Sequence, residues 1–168
     1  MDGGGFRSAL FREKNMSLQS PKFIISAINA SEDIVSAIGG RLYYVGRDNA
    51  AEDEDKIPYI VVMPKGLSEL TTKDSGIEED EDRIDVLVVA ESGEALMSLA
   101  DSVRRTVYNH NAETGGSFTV YNTENGGIEE SGRFVVSQMS FSAGEVFFDP
   151  TKPCYYQFLT FSLNTEEN

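Results

Sequence analysis

The first hydrophobic pattern along the chain has the spacing of a helix. Ser20-Pro21 precedes it, and we expect this pair to open the helix because serine is a preferred N-cap and proline is tolerated at the first helical position. Ser31 is expected to cap a second, shorter helix, which ends at Gly39-Gly40 because glycine adopts the left-handed conformation of a C-terminal cap. The apolar residues on one face of the first helix are Phe23, Ile24, Ala27 and Ile28.

Apolar runs rich in β-branched and aromatic residues then predict three strands, at 42–45, 57–63 and 83–90. Pro58 belongs at the start or the edge of its strand, because proline has no N–H to donate to a neighbouring strand. The run 83–90 alternates, which is typical of a strand with two distinct faces. The residues of its two faces are Ile84, Val86 and Val88 on one side and Leu87 and Val89 on the other.

The longest helix is predicted over 93–108, with Ser92 as its N-cap. Glu94 in the first turn and Arg104 and Arg105 near the end match the helix dipole. Its apolar stripe consists of Leu96, Leu99, Ala100, Val103 and Val107. The three strand-like runs that follow are 117–121, 133–141 and 155–163.

This order of elements predicts an α+β fold, a mainly antiparallel sheet with two main helices packed on one face. We expect one domain over residues 20–168, with a long hairpin around Asn122–Gly132 and an N-terminal arm over residues 1–19. The polar stretches 48–56 and 65–82 are expected to be loops. The second of them ends in the acidic run Glu78-Glu79-Asp80-Glu81-Asp82.

Charge excludes several classes of partner. The chain has 28 acidic and 14 basic residues, a formal net charge of −14. Such a surface repels a phosphate backbone, so sequence-specific nucleic-acid binding and adhesion to an anionic membrane are not expected. No run approaches the roughly 18 apolar residues of a membrane span, and the N-terminus has no apolar core of a signal peptide. The acidity serves either solubility alone or a functional role, and the sequence leaves both open.

The residues capable of site chemistry form no motif. His110 and Cys154 are the single histidine and cysteine, too few for a structural zinc site. The run 78–82 lacks the alternating ligands and the turn glycine of an EF-hand, and is either a solvated loop or a weak calcium site. His110 is expected in a polar turn after the long helix, with no nucleophile motif beside it. We predict no catalytic, cofactor-binding or metal site, and no enzymatic activity.

The order of segments between Phe23 and Val107 matches a known pattern. In sequence the segments are Ile38-Gly39-Gly40-Arg41-Leu42-Tyr43-Tyr44, Ile57-Pro58-Tyr59-Ile60-Val61-Val62, Asp82-Arg83-Ile84-Asp85-Val86-Leu87-Val88 and Ala100-Asp101-Ser102-Val103-Arg104. They resemble the tail-terminator, or tail-completion, proteins of long-tailed bacteriophages and prophages. In that family a G-G-R-I-Y-like turn and two strands similar to P-Y-V-V and R-V-Q-V-D-V-Y precede an A-x-x-L-A-D-x-V-R-like helix. The resemblance covers about half of the chain.

The resemblance implies a virion protein of the tail or neck, assembled in the bacterial cytoplasm. Such a protein forms a ring, six-fold like the tube beneath it, that docks on the tail tube protein, stops tube growth and receives the head–tail connector proteins. Genomic DNA then passes through the ring without sequence-specific binding. One alternative is another ring of the neck, a head–tail adaptor or stopper. The other is a small cellular ligand-binding or enzyme domain.

Two features are candidates for contacts in such a ring. Strand edges and the hairpin Asn122–Gly132 are reasonable subunit contacts, although the hairpin also fits an exposed turn. The acidic stretches 48–55 and 74–82 either spread outward or line the channel, and we favour 74–82 for the channel or the face between rings.

Overall fold

The computed structural model describes residues 20–44, 56–71, 78–114, 117–118 and 134–167. The predicted arm over 1–19, the loop 48–55 and the hairpin 122–132 lie outside the described residues. The helices are α1 over 20–29, α2 over Glu32–Ile38 and α3 over Gly93–Thr114. The strands are β1 Leu42–Tyr44, β2 Tyr59–Thr71, β3 Glu78–Ala90, β4 Ser117–Phe118, β5 Phe134–Ala143, β6 Phe147–Asp149 and β7 Cys154–Glu167.

The strands form one 7-stranded sheet in the order β1-β2-β3-β7-β5-β4, with β6 paired to β7 beyond the end of β5. β1 and β2 are parallel, and every other described pair is antiparallel. The C-terminal strand β7 therefore lies at the centre, between β3 and β5. The predicted α+β class with a mainly antiparallel sheet is confirmed.

One face of the sheet and the three helices enclose the core. The strand register aligns apolar residues in rows across the sheet, since Val62 pairs with Val86 and Val86 with Leu159. A second row joins Ile84, Phe161 and Phe141. Burying one such side chain completely stabilises the fold by about 1.5–3 kcal/mol. The helical residues that close over these rows are Phe23, Ile24, Ala27, Ile28, Ile34, Ile38, Leu96, Leu99, Ala100, Val103 and Val107.

The predicted signals at both ends of α2 and at the start of α3 are confirmed. The Ser31 hydroxyl accepts from the Ile34 N–H at 3.4 Å, and Gly39 ends α2 in the left-handed conformation with φ 59°. The Ser92 hydroxyl accepts from the Ala95 N–H at 3.1 Å at the start of α3. These contacts satisfy backbone donors that have no partner inside the helix.

Two local predictions about the helices were wrong. Ser20 is already helical, and its hydroxyl donates to Asp82 of β3 instead of capping α1. Helix α3 continues six residues past the predicted end at 108, so Arg104 and Arg105 lie well before its last turn, which has no basic residue. The continuation is explained by tertiary packing, because the ring of His110 lies against Phe23 with centroids 5.3 Å apart.

The polar stretch 65–82 is also not a loop throughout. Residues 65–71 continue β2 and residues 78–82 begin β3, and the two segments pair with each other from Gly66–Arg83 to Thr71–Glu78. Backbone hydrogen bonding to a neighbouring strand stabilises a polar segment that lacks an apolar pattern of its own. Within the described ranges, no helix is long and apolar enough to cross a membrane.

Candidate assembly surfaces

The face of the sheet opposite the helices has an apolar half. Tyr59 pairs with Val89 and Val89 with Tyr156, so aromatic side chains flank Val89, which is only 2% exposed. Beside this row, Val61 pairs with Leu87 and Leu87 with Phe158. Ring contacts extend the patch to both margins, with centroid distances of 6.2 Å for Tyr43–Tyr59 and 5.3 Å for Phe147–Tyr156. These residues form one apolar surface on the side of the sheet opposite the helices.

The other half of the same face is polar. Asp85 accepts from the Thr160 hydroxyl at 2.8 Å and lies 3.8 Å from the Lys65 ammonium. Farther along, Arg83 lies 3.6 Å from Glu81 of its own strand. The basic partners of both ion pairs are more than half exposed, so these pairs contribute little to stability. The change from apolar to polar along the strands divides the face into two surfaces of different chemistry.

The β5–β6 edge is one margin of the sheet. Ala143 pairs with Leu159 and Phe147 with Tyr156, so β5 and β6 run along β7 as one strand with one extra residue between them. This is the arrangement of a β-bulge. The Gly144 N–H donates to the Phe158 carbonyl at 2.8 Å, and a Cβ at Gly144 would lie 3.2 Å from the same oxygen. Glycine thus allows the close approach that the bulge requires.

The chemistry of the β5–β6 edge differs from the rest of the chain. Residues 134–144 contain no charged side chain in a chain that is 25% charged. β4 pairs with β5 only at Phe134 and Val135. No described strand therefore pairs with the outer edge of β5 after Val135 or with the outer edge of β6. Edge strands of monomeric proteins usually carry lysine or proline, which prevent pairing with another chain. The exposed large apolar side chains at its end are Val146 at 47%, Phe147 at 44% and Phe148 at 52%, and Phe158 of β7 lies beside them at 36%.

The opposite margin of the sheet is strand β1. It pairs with β2 through Leu42–Ile60 and Tyr43–Val61, and β2 is its one partner among the described strands. Arg41 immediately precedes it, and the Arg41 Nε donates to the Pro58 carbonyl at 3.0 Å. A cation is therefore held at this margin by a contact to the backbone.

The acidic end of the sheet lies at the far end of β2, β3 and β7. Register places Glu69 opposite Asp80 and Asp80 opposite Thr165. The ranges 66–71, 78–82 and 163–167 contain eight acidic and no basic residues. The acidic run is thus carried by paired strands and is not the solvated loop expected from the sequence. Residues 72–77 of the favoured stretch 74–82 lie outside the described residues.

Asp82, at the end of this run, is 5% exposed and faces the core. It pairs with Leu163 of β7, whose side chain is fully buried. The Ser20 hydroxyl, itself 3% exposed, donates to the Asp82 carboxylate. Asp82 therefore joins α1 to the sheet.

His110 and Cys154, the two residues considered for site chemistry, lie in different parts of the fold. Burial lowers the pKa of His110 below its usual 6.5, against a smaller opposing effect of Glu113. Burial also raises the pKa of the Cys154 thiol, and Asp149 adds to this effect. Among the residues described by the structure, no group of three or more His, Cys, Asp or Glu side chains is arranged to hold a metal ion.

A shallow groove of about 250 Å³ lies between α2, the end of β3 and the start of α3. Its ionisable residues, Asp33 and Glu91, are both exposed. The remaining lining is formed by Ile34, Ala37, Pro58, Ala90, Ala95, Ser98, Leu99 and Ser102. The groove does not include His110 or Cys154.

Sequence reasoning singled out strand edges as contacts but missed the aromatic end of the β5–β6 edge. The run Val146-Phe147-Phe148 carried a detectable signal, because β-branched and aromatic residues favour strands. Asp149 follows it and accepts hydrogen bonds from the Thr151 N–H at 2.9 Å and hydroxyl at 2.6 Å, which is typical of a turn. These donors lower the pKa of the Asp149 carboxyl.

Comparison with known proteins gives a fold and no family. No protein-family model matches the chain, and no curated protein matches it. The structure is similar to a chain of the solved structure described as "Virion of native gene transfer agent (GTA) particle". The TM-score is 0.54 at 11% sequence identity, and the similarity covers 85% of this chain and 91% of that chain. At this identity the likeness shows that the two chains share a fold.

Proposed function

We propose that this protein is a structural component of a phage-like virion, a ring that caps the tail tube and joins it to the head-side connector. In this role it stops tube growth by covering the surface to which the next tube subunit adds. The function depends on complementary surfaces, and we assign no catalytic step, metal or cofactor to it. The protein would be assembled in the bacterial cytoplasm and retained in the neck of the particle.

The observation that carries the proposal is the fold shared over most of both chains with a component of a virion particle. The segments from Phe23 to Val107 that resemble tail terminators support the same role independently, because they are sequence features. In the structure they form the consecutive elements α1, α2, β1, β2, β3 and α3.

The surfaces of the sheet are consistent with a ring. A closed ring of identical subunits needs two different patches on each subunit, one for each neighbour. The β5–β6 edge and the β1 margin lie at opposite ends of the sheet and provide two such patches. We assign the acidic end of the sheet to the channel or to the face between rings, where carboxylates would keep passing DNA from adhering to the wall.

The experiment that tests this function is loss of the protein during assembly. Without a cap, the growing end of the tube stays competent to add subunits. We expect tubes of uncontrolled length and filled heads without tails in electron micrographs of a lysate that lacks the protein. Re-expression of the intact chain should restore joined particles of uniform length.

Other outcomes assign other functions. Unjoined tubes of normal length would contradict capping and favour the adaptor or stopper role at the same joint. Normal particles in the absence of the protein would contradict any role in the neck, and would favour the small cellular ligand-binding or enzyme domain.

A further inference from the structure

The groove between α2 and α3 combines an apolar base with acidic side chains at its opening. Ile34, Ala90 and Leu99 form the buried part of its lining, and each is at most 7% exposed. Asp33 of α2 and Glu91, which follows β3, are exposed members of the same lining. The groove therefore offers contacts to hydrocarbon at its base and to a positive charge at its opening.

The two carboxylates are not neutralised by the described part of the chain. Within the described ranges, neither Asp33 nor Glu91 has an ion-pair or hydrogen-bond partner, and no lysine or arginine lines the groove. Arg105 lies one turn of α3 beyond Ser102 of the lining, but it pairs with Asp101 at 2.8 Å. A cation that binds here comes from outside these elements.

The size of the groove matches one long side chain. Its volume of about 250 Å³ is below the roughly 300–1,000 Å³ of pockets that enclose small-molecule ligands. Arginine and lysine lay their methylene stems on apolar surface and keep the charged end in water. In this groove the stem would contact the buried lining, and the charged end would lie beside Asp33 and Glu91.

We propose that this groove binds one arginine or lysine side chain of another protein at the joint between tail and head. The identity of this partner rests on the proposed function, and the groove is one surface through which the chain docks. It is separate from the acidic end of the sheet, because the rise from Asp82 to Ala90 along β3 is about 26 Å at about 3.3 Å per residue.

The charge of the whole chain favours a different protein over a second copy. A net charge of −14 repels another copy and attracts a basic surface, over about 8–10 Å at physiological salt. A basic partner is therefore drawn towards the chain, and the groove gives one of its side chains a fixed position.

Removing the two charges without changing side-chain shape tests the site. Asp33→Asn with Glu91→Gln should weaken co-sedimentation by about tenfold with open tail tubes or with unjoined heads, whichever presents the basic side chain. Both particles are purified from the lysate that lacks the protein. Glu32→Gln with Glu94→Gln is the matched control, because these acids are exposed on the same two helices outside the lining. The control should bind like the unmodified chain.

Filling the groove is a second test that leaves the charges in place. Ser98→Phe puts a ring into the groove and should weaken binding by a similar factor. Met97→Phe is its control, because Met97 is the preceding residue of α3, is 67% exposed and does not line the groove. Circular dichroism checks both folds, and the amide variants decide the question if Ser98→Phe does not fold.

A peptide probe tests the groove without any virion particle. The probe is the capped peptide Gly-Arg-Gly, and its control contains citrulline, which has the shape of arginine without the charge. We expect only the arginine peptide to shift the amide resonances of Ala37, Ala95 and Ser98 in a saturable titration. Shifts spread evenly over the acidic residues, or an unchanged titration in Asp33→Asn with Glu91→Gln, would overturn the groove.

The outcomes separate this site from the capping role. If the unmodified chain binds tubes and the double amide variant binds tubes and heads equally well, the groove is rejected and the capping role is kept. If the unmodified chain binds neither particle, the capping role is rejected and the peptide titration alone decides the groove. Loss of self-association in the double amide variant, with unchanged binding to both particles, would make a second copy the occupant and overturn the proposed partner.

Discussion

The Ser20 hydroxyl of α1 donates to the Asp82 carboxylate of β3 across 62 residues of sequence, and both side chains are buried. Asp82 lies on the core face of the sheet beside Leu163, where an acid without polar contacts would be costly. The contact therefore fixes the start of α1 over the acidic end of the sheet.

We expect Ser20→Ala to lower the free energy of unfolding by about 1–3 kcal/mol, because a charged acceptor loses a donor in a buried position. Asp82→Ala should cost at least as much, since it also leaves a gap beside Leu163. Urea denaturation measures both, with the exposed Glu91→Ala expected within about 0.5 kcal/mol of the unmodified chain. Equal stability of all three variants would show that Asp82 does not anchor α1.

Gly39 is a second position where the local backbone decides stability. It has φ 59°, and a Cβ there would lie 2.7 Å from a guanidinium nitrogen of Arg41. Gly39→Ala should destabilise the protein by about 1–2 kcal/mol, because a side chain in the left-handed region meets the following carbonyl. Gly93→Ala is the matched control, since a Cβ there meets nothing within 4 Å. Thermal unfolding that ranks the two variants equally would contradict this explanation.

His110 makes stability depend on pH. Its pKa is lowered in the folded protein, so below pH 6.5 the unfolded chain binds more protons than the folded one. The free energy of unfolding should fall as the pH drops from 6.5 towards the folded pKa, and this component should be constant above 6.5. Urea midpoints at pH 7.5 and 5.8 measure the effect. We expect a smaller difference in His110→Gln, and an identical difference in both proteins would exclude His110 as its source.

The acidic end of the sheet gives a prediction that depends on the proposed channel. Changing Glu78, Glu79, Asp80 and Glu81 to their amides should leave folding intact and slow DNA release from particles, because the wall loses charges that repel phosphate. Asp82 stays unchanged, since its carboxylate is buried against Ser20. Glu32→Gln with Glu94→Gln is a control outside this end of the sheet. Release at the unmodified rate would leave the acidic run as a feature of solubility.

The sequence by itself determined the elements whose signals are local. The stripe from Leu96 to Val107 predicts α3 because helical periodicity places those residues on one face, and all five stripe residues are buried. Ser31 and Gly39 define α2 because a hydroxyl cap and a left-handed glycine act within a few residues of their own position. The alternation in 83–90 likewise separates the core face of β3 from the opposite face.

Tertiary structure decided the features that depend on distant partners. The polar stretches 65–71 and 78–82 are strands because each offers the other a ladder of backbone hydrogen bonds, and no side-chain pattern announces that pairing. β7 lies between β3 and β5, so the last described strand forms the centre of the sheet, beside a strand far from it in sequence. The alignment of Phe147 with Tyr59 across the sheet follows from the registers of three strand pairs. Such registers are set by hydrogen bonds and packing between segments far apart in sequence, which is why local periodicity alone does not contain them.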